Sequence, residues 1–164
     1  MKEYSLVDTN VLISANGRDT HADLECQLKC IGTLEKIKSN KIVLLDNLGL
    51  ILDEYSHHCN YKGEPGVGDY FFKYVHDNQL VKNNCIIIEI TRDSQDQNNF
   101  NEFPKGPNLA SFDISDRKFV AVSIASNAYS PIYNATDSDW EEHKKELENN
   151  NITVIQLCPQ HASK

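Results

Sequence analysis

The sequence predicts an α/β fold in which a central parallel sheet of four to five strands lies between two layers of helices, a three-layer α/β/α arrangement. Short apolar runs alternate along the chain with longer segments whose apolar residues recur every three or four positions, which is the pattern of strands followed by crossover helices. One of these runs, Lys41–Asp46, is continuously apolar between its charged ends, as expected for a strand that is buried on both faces. At 164 residues the chain suits a single domain spanning 1–164.

The first part of the chain shows the strand-then-helix order twice. A β-rich apolar run predicts the first strand at 3–8. Leucine and isoleucine recur at helical spacing over 21–39, and Asp19 or Thr20 is expected to cap that helix. A second amphipathic helix is predicted over 48–59, directly after the continuous apolar strand.

The rest of the chain continues this alternation. An aromatic-rich helix is predicted over 69–80, and it is followed by a strand over 85–90 whose Glu89 indicates an edge position or a solvent-facing side. The polar segment 91–112 is predicted to be a loop, and a loop of this length in a compact domain is usually functional or disordered. The remaining predicted elements are a helix over 113–128, a strand over 132–136, a helix over 138–149 and a strand over 152–157.

The acidic composition limits the kinds of partner that this protein binds. The chain has 16 basic and 24 acidic residues and a net charge of −8, which argues against a broad basic surface for nucleic acid. If six of the acids belong to one site, the remaining acidic and basic residues nearly balance. Divalent cations in such a site can then contact phosphate in place of lysine and arginine. The composition therefore permits a nucleic-acid substrate.

The chain carries no recognisable targeting or membrane signal. None of its apolar runs approaches the about 20 residues that a bilayer span requires, and Met1–Tyr4 lack the apolar core of a secretory signal. The number of cysteines is odd, and their spacing does not suggest a disulfide framework, so we expect reduced thiols. These features together predict a cytoplasmic protein without membrane contact.

Two of the cysteines could instead contribute to a zinc site. Cys26 and Cys30 lie four residues apart, and His57, His58 and Cys59 follow further along the chain. The four-residue spacing on a mostly apolar helix face favours buried core thiols instead.

Four acids lie where apolar segments begin or end: Asp8, Glu54, Asp116 and Asp137. A parallel sheet brings the carboxyl ends of its strands to one edge, so Asp8 and Asp137 are expected to meet there, with Asp116 in the first turn of its helix. Carboxylates this close repel one another unless a cation lies among them. Mg²⁺ and Mn²⁺ prefer oxygen ligands and are the expected cations.

Two further acids have structural alternatives that stay open at this stage. Asp113 could cap the helix that follows it, and Asp139 could form a capping box with Thr136. Asp46 and Asp53 are expected to face solvent or to form a turn.

The segment around Asp8 also resembles a known family. Asp8-Thr9-Asn10 is similar to the first motif of the PIN-domain nucleases, in which the Asp binds metal and the next two residues position backbone and ligand. Glu54 corresponds to the second motif of that family as a Glu on a helix after the second strand.

Two later segments extend the resemblance. Asp116 followed by the apolar segment Phe119–Ala125 looks like the third motif, an Asp that opens an alanine-rich buried helix. Thr136–Trp140 looks like the fourth motif, a Thr followed by Asp-x-Asp and an aromatic residue. The resemblance covers about residues 4–140 and implies a PIN-like fold.

The resemblance implies a Mg²⁺- or Mn²⁺-dependent endoribonuclease that hydrolyses phosphodiester bonds of single-stranded or structured RNA. Many small PIN proteins are toxins neutralised by a partner protein (an antitoxin) or effectors of defence systems. The partners expected are therefore RNA, a protein inhibitor or defence-system partner, and a second copy of the chain in a homo-oligomer.

The site residues follow from the matched motifs. The expected catalytic and metal-binding residues are Asp8, Glu54, Asp116 and Asp137, with Asp113 and Asp139 as additional candidate ligands. The expected substrate-binding residues are Thr9, Asn10, Arg117 and Lys118. Phe100 and Phe103, in the polar loop, either stack on an unpaired base or fix the loop to the body of the domain.

Two alternatives to a nuclease remain at this stage. One is a PIN-like domain without activity that serves as an interaction module. The other is a phosphatase of the haloacid-dehalogenase type, although that family has Asp-x-Asp after its first strand and this chain has Asp8-Thr9-Asn10.

Overall fold

The computed structural model describes residues 1–162. The strands are β1 (Glu3–Val7), β2 (Lys41–Asp46), β3 (Cys85–Ile88), β4 (Ile132–Asn134) and β5 (Val154–Gln156). The helices are α1 (Thr9–Asn16), α2 (Leu24–Asn40), α3 (Leu50–His58), α4 (Val67–Asn78), α5 (Arg117–Ala125), α6 (Asp139–Glu142), α7 (Lys144–Asn149) and α8 (Pro159–Ala162), with short 3₁₀ turns at Pro107–Leu109 and Ile114–Asp116. Within residues 1–162, no helix is long and apolar enough to cross a bilayer.

The strands form one parallel sheet with the order β3-β2-β1-β4-β5, and helices flank it on both faces, which confirms the predicted three-layer α/β/α fold. β1 has β2 on one side and β4 on the other, so the chain changes direction across the sheet at this point. Such a switch point opens a crevice at the carboxyl ends of the two strands. The register pairs Val7 with Tyr133, and the residues that follow both strands therefore lie beside this crevice.

The starts of two helices differ from the prediction. α2 is capped by Asp23, whose carboxylate accepts a 2.8 Å hydrogen bond from the amide of Cys26, and so the predicted caps Asp19 and Thr20 are wrong. Asp19 has a φ of 54° and belongs to the preceding turn. The helix predicted over 113–128 begins as a 3₁₀ turn, which sets Asp116 apart from α5.

The structure also tests the strand predicted over 85–90 and the helix predicted over 138–149. β3 is an edge strand, as predicted, but it ends at Ile88, so Glu89 lies just beyond the strand in which it was expected. The helix predicted over 138–149 is divided into α6 and α7 at His143, whose φ of −105° and ψ of 11° are not helical.

α1 and α4 approach closely because a glycine lies between them. A Cβ atom on Gly68 would collide with the carbonyl oxygen of Leu12. Next to this contact, the buried carboxylate of Asp69 accepts hydrogen bonds from the side chains of Asn16 and Arg18 and from the amide of Gly66. This packing fixes the position of α1, and hence of the residues that follow β1.

The long loop over 91–112 is attached to the body of the domain. Phe100 and Phe103 are buried, and Phe103 stacks on Phe112 at a centroid distance of 6.0 Å. Of the two roles considered for these aromatic residues, the structure supports the one in which they fix the loop.

The expectation that all five cysteines are reduced is wrong for two of them. Cys26 and Cys158 form a disulfide across 132 residues of sequence, because the chain after β5 returns to the first turn of α2. Cys30, Cys59 and Cys85 are free and buried. The sulfur atoms of Cys26, Cys30 and Cys158 lie together, whereas the zinc alternative required Cys26 and Cys30 to meet His57, His58 or Cys59, which are not part of this group.

Candidate metal centre

Three of the predicted acids meet at the switch point of the sheet. Asp8 directly follows β1, Asp137 lies three residues beyond β4, and Asp116 ends the 3₁₀ turn before α5. Their carboxylates each offer one oxygen, and these oxygens lie within 4.8 Å of one another. The fold thus brings Asp8 to two acids that lie more than a hundred residues further along the chain.

Asp8 is held in place from two directions. Its Oδ1 accepts a 3.1 Å hydrogen bond from the amide of Asn10 and so caps α1. Its Oδ2 accepts a 2.7 Å hydrogen bond from Nε1 of Trp140, which is fully buried. The hydroxyl of Tyr55 donates to the carbonyl of Val7 at 2.5 Å and fixes the end of β1.

An asparagine pair holds the loop that carries Asp137. Asn134 is fully buried; its Nδ2 donates to the carbonyl of Asp137 at 2.8 Å, and its Oδ1 accepts from Nδ2 of Asn10 at 2.8 Å. The Oδ1 of Asn10 accepts the amides of Ala135 and Thr136 at 2.8 and 3.2 Å. Asn10 therefore positions the backbone, and its amide is used within the fold instead of facing a substrate.

Asp116 carries a buried oxygen without a partner. Its side chain is only 4% exposed, and no described residue donates a hydrogen bond to its Oδ2. Buried polar atoms in native proteins are almost always satisfied, so an orphan of this kind indicates a missing ion or water. A divalent cation with oxygen ligands fits a position between Asp116, Asp8 and Asp137.

The pKa values of two of these acids are raised. Burial raises the pKa of Asp116 to about 11, and the neighbouring charges of Asp8 and Asp137 add to this effect. Burial also raises the pKa of Asp8 to about 7, although the hydrogen bond from Trp140 opposes the increase. Asp8 and Asp116 can be ionised together at neutral pH only if a cation compensates their charge.

Glu54, the fourth predicted ligand, lies outside this group of three. Its Oε2 accepts a hydrogen bond from the hydroxyl of Thr9, and its Oε1 pairs with Nζ of Lys118 at 2.8 Å. The Lys118 ammonium also donates to the carbonyl of Ser115. Thr9 and Lys118 were expected to bind substrate, and the structure uses both to hold Glu54.

Asp113 and Asp139 support the centre from one side. Asp113 caps the 3₁₀ turn by accepting from the amide and the hydroxyl of Ser115, both at 3.0 Å, which agrees with the capping alternative. The amide of Asp113 donates to Oδ2 of Asp139 at 2.9 Å. Asp139 also lies 3.2 Å from Nδ1 of His143, so its carboxylate links two elements around the site.

The predicted capping box between Thr136 and Asp139 is not formed. The residue before α6 is Ser138, which makes no side-chain cap, and the amide of Asp139 donates instead to Oδ1 of Asp137 at 2.9 Å. This bond orients one oxygen of Asp137.

Arg117 points into the protein, which is at odds with its predicted contact to substrate. Its guanidinium donates to the carbonyls of Phe112 and Ala110 at 2.9 to 3.2 Å and lies 5.0 Å from the ring centre of Phe103. Only 8% of the residue is exposed. Arg117 therefore holds the end of the 91–112 loop against the domain.

Sequence reasoning missed two residues that shape the centre and one contact of a third. Trp140 was noted only as the aromatic end of a motif, Asn134 was not singled out, and the pairing of Lys118 with Glu54 was not predicted. Trp140 is the only tryptophan of the chain and follows an Asp-x-Asp, which was an available signal. The contacts of Asn134 with Asn10 and of Lys118 with Glu54 join residues more than 60 positions apart, and no local sequence pattern indicates them.

A cleft of about 280 Å³ is lined by Glu54, by Lys118 and by Ser115, the residue before Asp116. Its other lining residues include His57, Arg92 and the exposed side chain of Ile114. The cleft thus combines cationic and apolar groups with the ion pair of Glu54 and Lys118.

Neither the scan of protein-family models nor the search of curated proteins finds a match for this chain.

Proposed function

We propose that this protein is a PIN-like, Mg²⁺- or Mn²⁺-dependent endoribonuclease whose metal ligands are Asp8, Asp116 and Asp137. The observation that carries the proposal is the buried, unpartnered Oδ2 of Asp116 beside two further carboxylates. Gathering three acids in one place, two of them buried, is unfavourable for the metal-free protein, and a site of this kind is best explained by a cation that it binds.

Hydrogen bonds within the protein orient two of the three carboxylates. Trp140 and the amide of Asn10 hold Asp8 in one orientation, and the amide of Asp139 does the same for Asp137. Hydrogen bonds that orient the ligands of a metal raise its affinity. When bound, a divalent cation stabilises negative charge on a phosphodiester and acidifies a water molecule.

The choice of RNA as substrate comes from the sequence resemblance to PIN nucleases and is supported by the neighbouring cleft. Arg92 and Lys118 offer positive charge to a phosphate, and Ile114 offers an apolar surface to a base. An RNA strand in this cleft would pass Ser115, the residue before Asp116. A cytoplasmic toxin with a protein inhibitor, or a defence effector, is the biological role that we propose with this activity.

The test is cleavage of single-stranded RNA by purified protein in Mg²⁺ or Mn²⁺. We expect cleavage that EDTA abolishes and that Asp8→Asn and Asp116→Asn both lose, while the exposed Asp77→Asn on α4 retains it. Cleavage that survives EDTA, or that persists in Asp8→Asn, would overturn the mechanism.

A second measurement separates this function from an interaction module without activity. A ligand that binds only the native state raises the thermal midpoint, so Mn²⁺ should raise the Tm of the wild-type protein. Absence of a rise, together with absence of cleavage, would favour the interaction module.

A further inference from the structure

We infer that the centre takes one divalent ion, held by Asp8, Asp116 and Asp137, and that the Lys118 ammonium occupies the place of a second cation beside Glu54. This inference rests on the proposed function, because it concerns which cations occupy the same site.

Lys118 is a buried cation whose charge is compensated inside the site. Its side chain is only 8% exposed; Nζ lies 2.8 Å from Oε1 of Glu54 and also donates to the carbonyl of Ser115. The ring centre of Phe119 lies 4.9 Å from the same nitrogen. A lysine this deeply buried is tolerated when it is paired, and here its partner is an acid of the predicted catalytic set.

Glu54 and Asp116 differ in whether their carboxylate oxygens have partners. Both oxygens of Glu54 have partners, since Thr9 donates to one and Lys118 to the other. Asp116 has an oxygen without any partner among residues 1–162. An ion is therefore needed at the aspartates, whereas Glu54 is already satisfied by a resident positive charge.

A second divalent ion at Glu54 would lie against the ammonium. Two-metal centres hold their ions about 3.5–4 Å apart between shared carboxylates. The charge of lysine is compact, so a divalent ion bound by Glu54 would be repelled by Nζ or would have to displace it. The side chain is packed against Phe119 and hydrogen bonded to Ser115, which opposes its displacement.

The same geometry gives Lys118 a role toward substrate. An ammonium has three N–H donors, and two of them are used by Glu54 and Ser115, so one is left for a phosphate oxygen. Lys118 also lines the 280 Å³ cleft, together with Arg92 and with Ser115, the residue before Asp116. A phosphate group in this cleft would thus meet the fixed positive charge that is paired with Glu54.

The experiment measures Mn²⁺ binding by calorimetry and electron paramagnetic resonance, on the full chain and without RNA. We expect one Mn²⁺ per wild-type chain with a mononuclear spectrum. Lys118→Met should bind a second Mn²⁺ because Glu54 loses its partner, and Lys118→Met combined with Glu54→Gln should return to one. Lys118→Arg keeps the charge and should keep one ion, as should Lys105→Met, which alters an exposed lysine of the 91–112 loop.

A further variant keeps the test valid if Lys118→Met fails to fold. Glu54→Gln alone should still bind one Mn²⁺, weakened by about tenfold at most, because Glu54 acts outside the ligand set. Asp116→Asn should lose binding over the same titration range.

The outcomes separate the two proposals. Two Mn²⁺ per wild-type chain, loss of binding in Glu54→Gln, or a single ion in Lys118→Met would overturn the role of Lys118 and leave the nuclease proposal intact. A wild-type chain that binds no Mn²⁺ would overturn the proposed function and this inference with it.

Discussion

The indole Nε1 of Trp140 donates a 2.7 Å hydrogen bond to Oδ2 of Asp8, and this bond joins α6 to the end of β1 across 132 residues of sequence. Burial raises the pKa of Asp8, and this hydrogen bond is the strongest of the contacts that lower it. The bond leaves Oδ1 to cap α1, so each oxygen of Asp8 has a defined partner.

We predict that Trp140→Phe lowers the affinity for Mn²⁺ by about tenfold, as loss of a bond that orients a metal ligand usually does. Without the indole donor, the pKa of Asp8 should increase further, and protons should compete more strongly with the metal ion. The deficit should therefore be larger below neutral pH than above it, which calorimetric titration at two pH values can measure.

The matched control for this variant is Phe112→Leu. Phe112 packs edge-to-face on Trp140 at 5.1 Å, so the variant disturbs the same packing without removing the hydrogen bond. An equal loss of affinity in both variants would show that packing, and not the indole donor, matters.

We predict that the metal-free protein becomes less stable as the pH rises. Asp8 and Asp116 have folded-state pKa values of about 7 and about 11, both raised from 3.8, so the folded state keeps protons that the unfolded state has released. Each group lowers the free energy of unfolding by at most about 1.4 kcal/mol per pH unit between its unfolded and folded pKa. Thermal melts in EDTA from mildly acidic to mildly alkaline pH measure this slope.

Asp116→Asn should weaken that dependence, because an amide cannot ionise. The variant should be more stable than the wild type in EDTA at alkaline pH and less responsive to Mn²⁺. A wild-type protein whose metal-free stability increases from neutral to alkaline pH would contradict the raised pKa values.

We predict that Arg117→Met destabilises the protein by about 1–3 kcal/mol, because the carbonyls of Phe112 and Ala110 lose their buried donor. The 91–112 loop should also become more sensitive to limited proteolysis. Lys105→Met is the control: its Nζ pairs with Asp93 at 2.8 Å on an exposed side chain, and exposed pairs contribute about 1 kcal/mol or less. Urea unfolding of the two variants measures the difference in stability. If Arg117→Met has wild-type stability but binds RNA weakly, Arg117 contacts substrate after all.

We predict that the disulfide stabilises the oxidised protein. Cys158→Ser should lower the free energy of unfolding by about 2–4 kcal/mol in the absence of reductant, and the difference should shrink when a dithiol reductant opens the bond in the wild type. Alkylation of denatured protein followed by mass measurement should find three free thiols in air-oxidised wild type. Five alkylated thiols would show that the bond does not form.

The alternation of strands and helices was predictable because it depends on local periodicity. β2 was predicted with its observed boundaries, since four consecutive apolar residues between charged ends define a doubly buried strand. The ends of helices were harder to place: Asp23 and Asp19 are equally good caps by residue type, and only the chain path decides which carboxylate accepts a hydrogen bond from an amide of the first turn.

The sequence alone determined the fold class and the meeting of Asp8 with Asp137 at the switch point, because parallel strands place the residues after them at one edge. It also named Asp116, but it counted Glu54 as a fourth ligand, which lies outside the group of three. Only the tertiary structure decided the partners of these acids. The bond from Trp140 to Asp8, the pairing of Glu54 with Lys118, the inward turn of Arg117 and the disulfide all join residues distant in sequence. Contacts of this kind depend on how the helices pack on the sheet, and no local pattern of residue types contains that information.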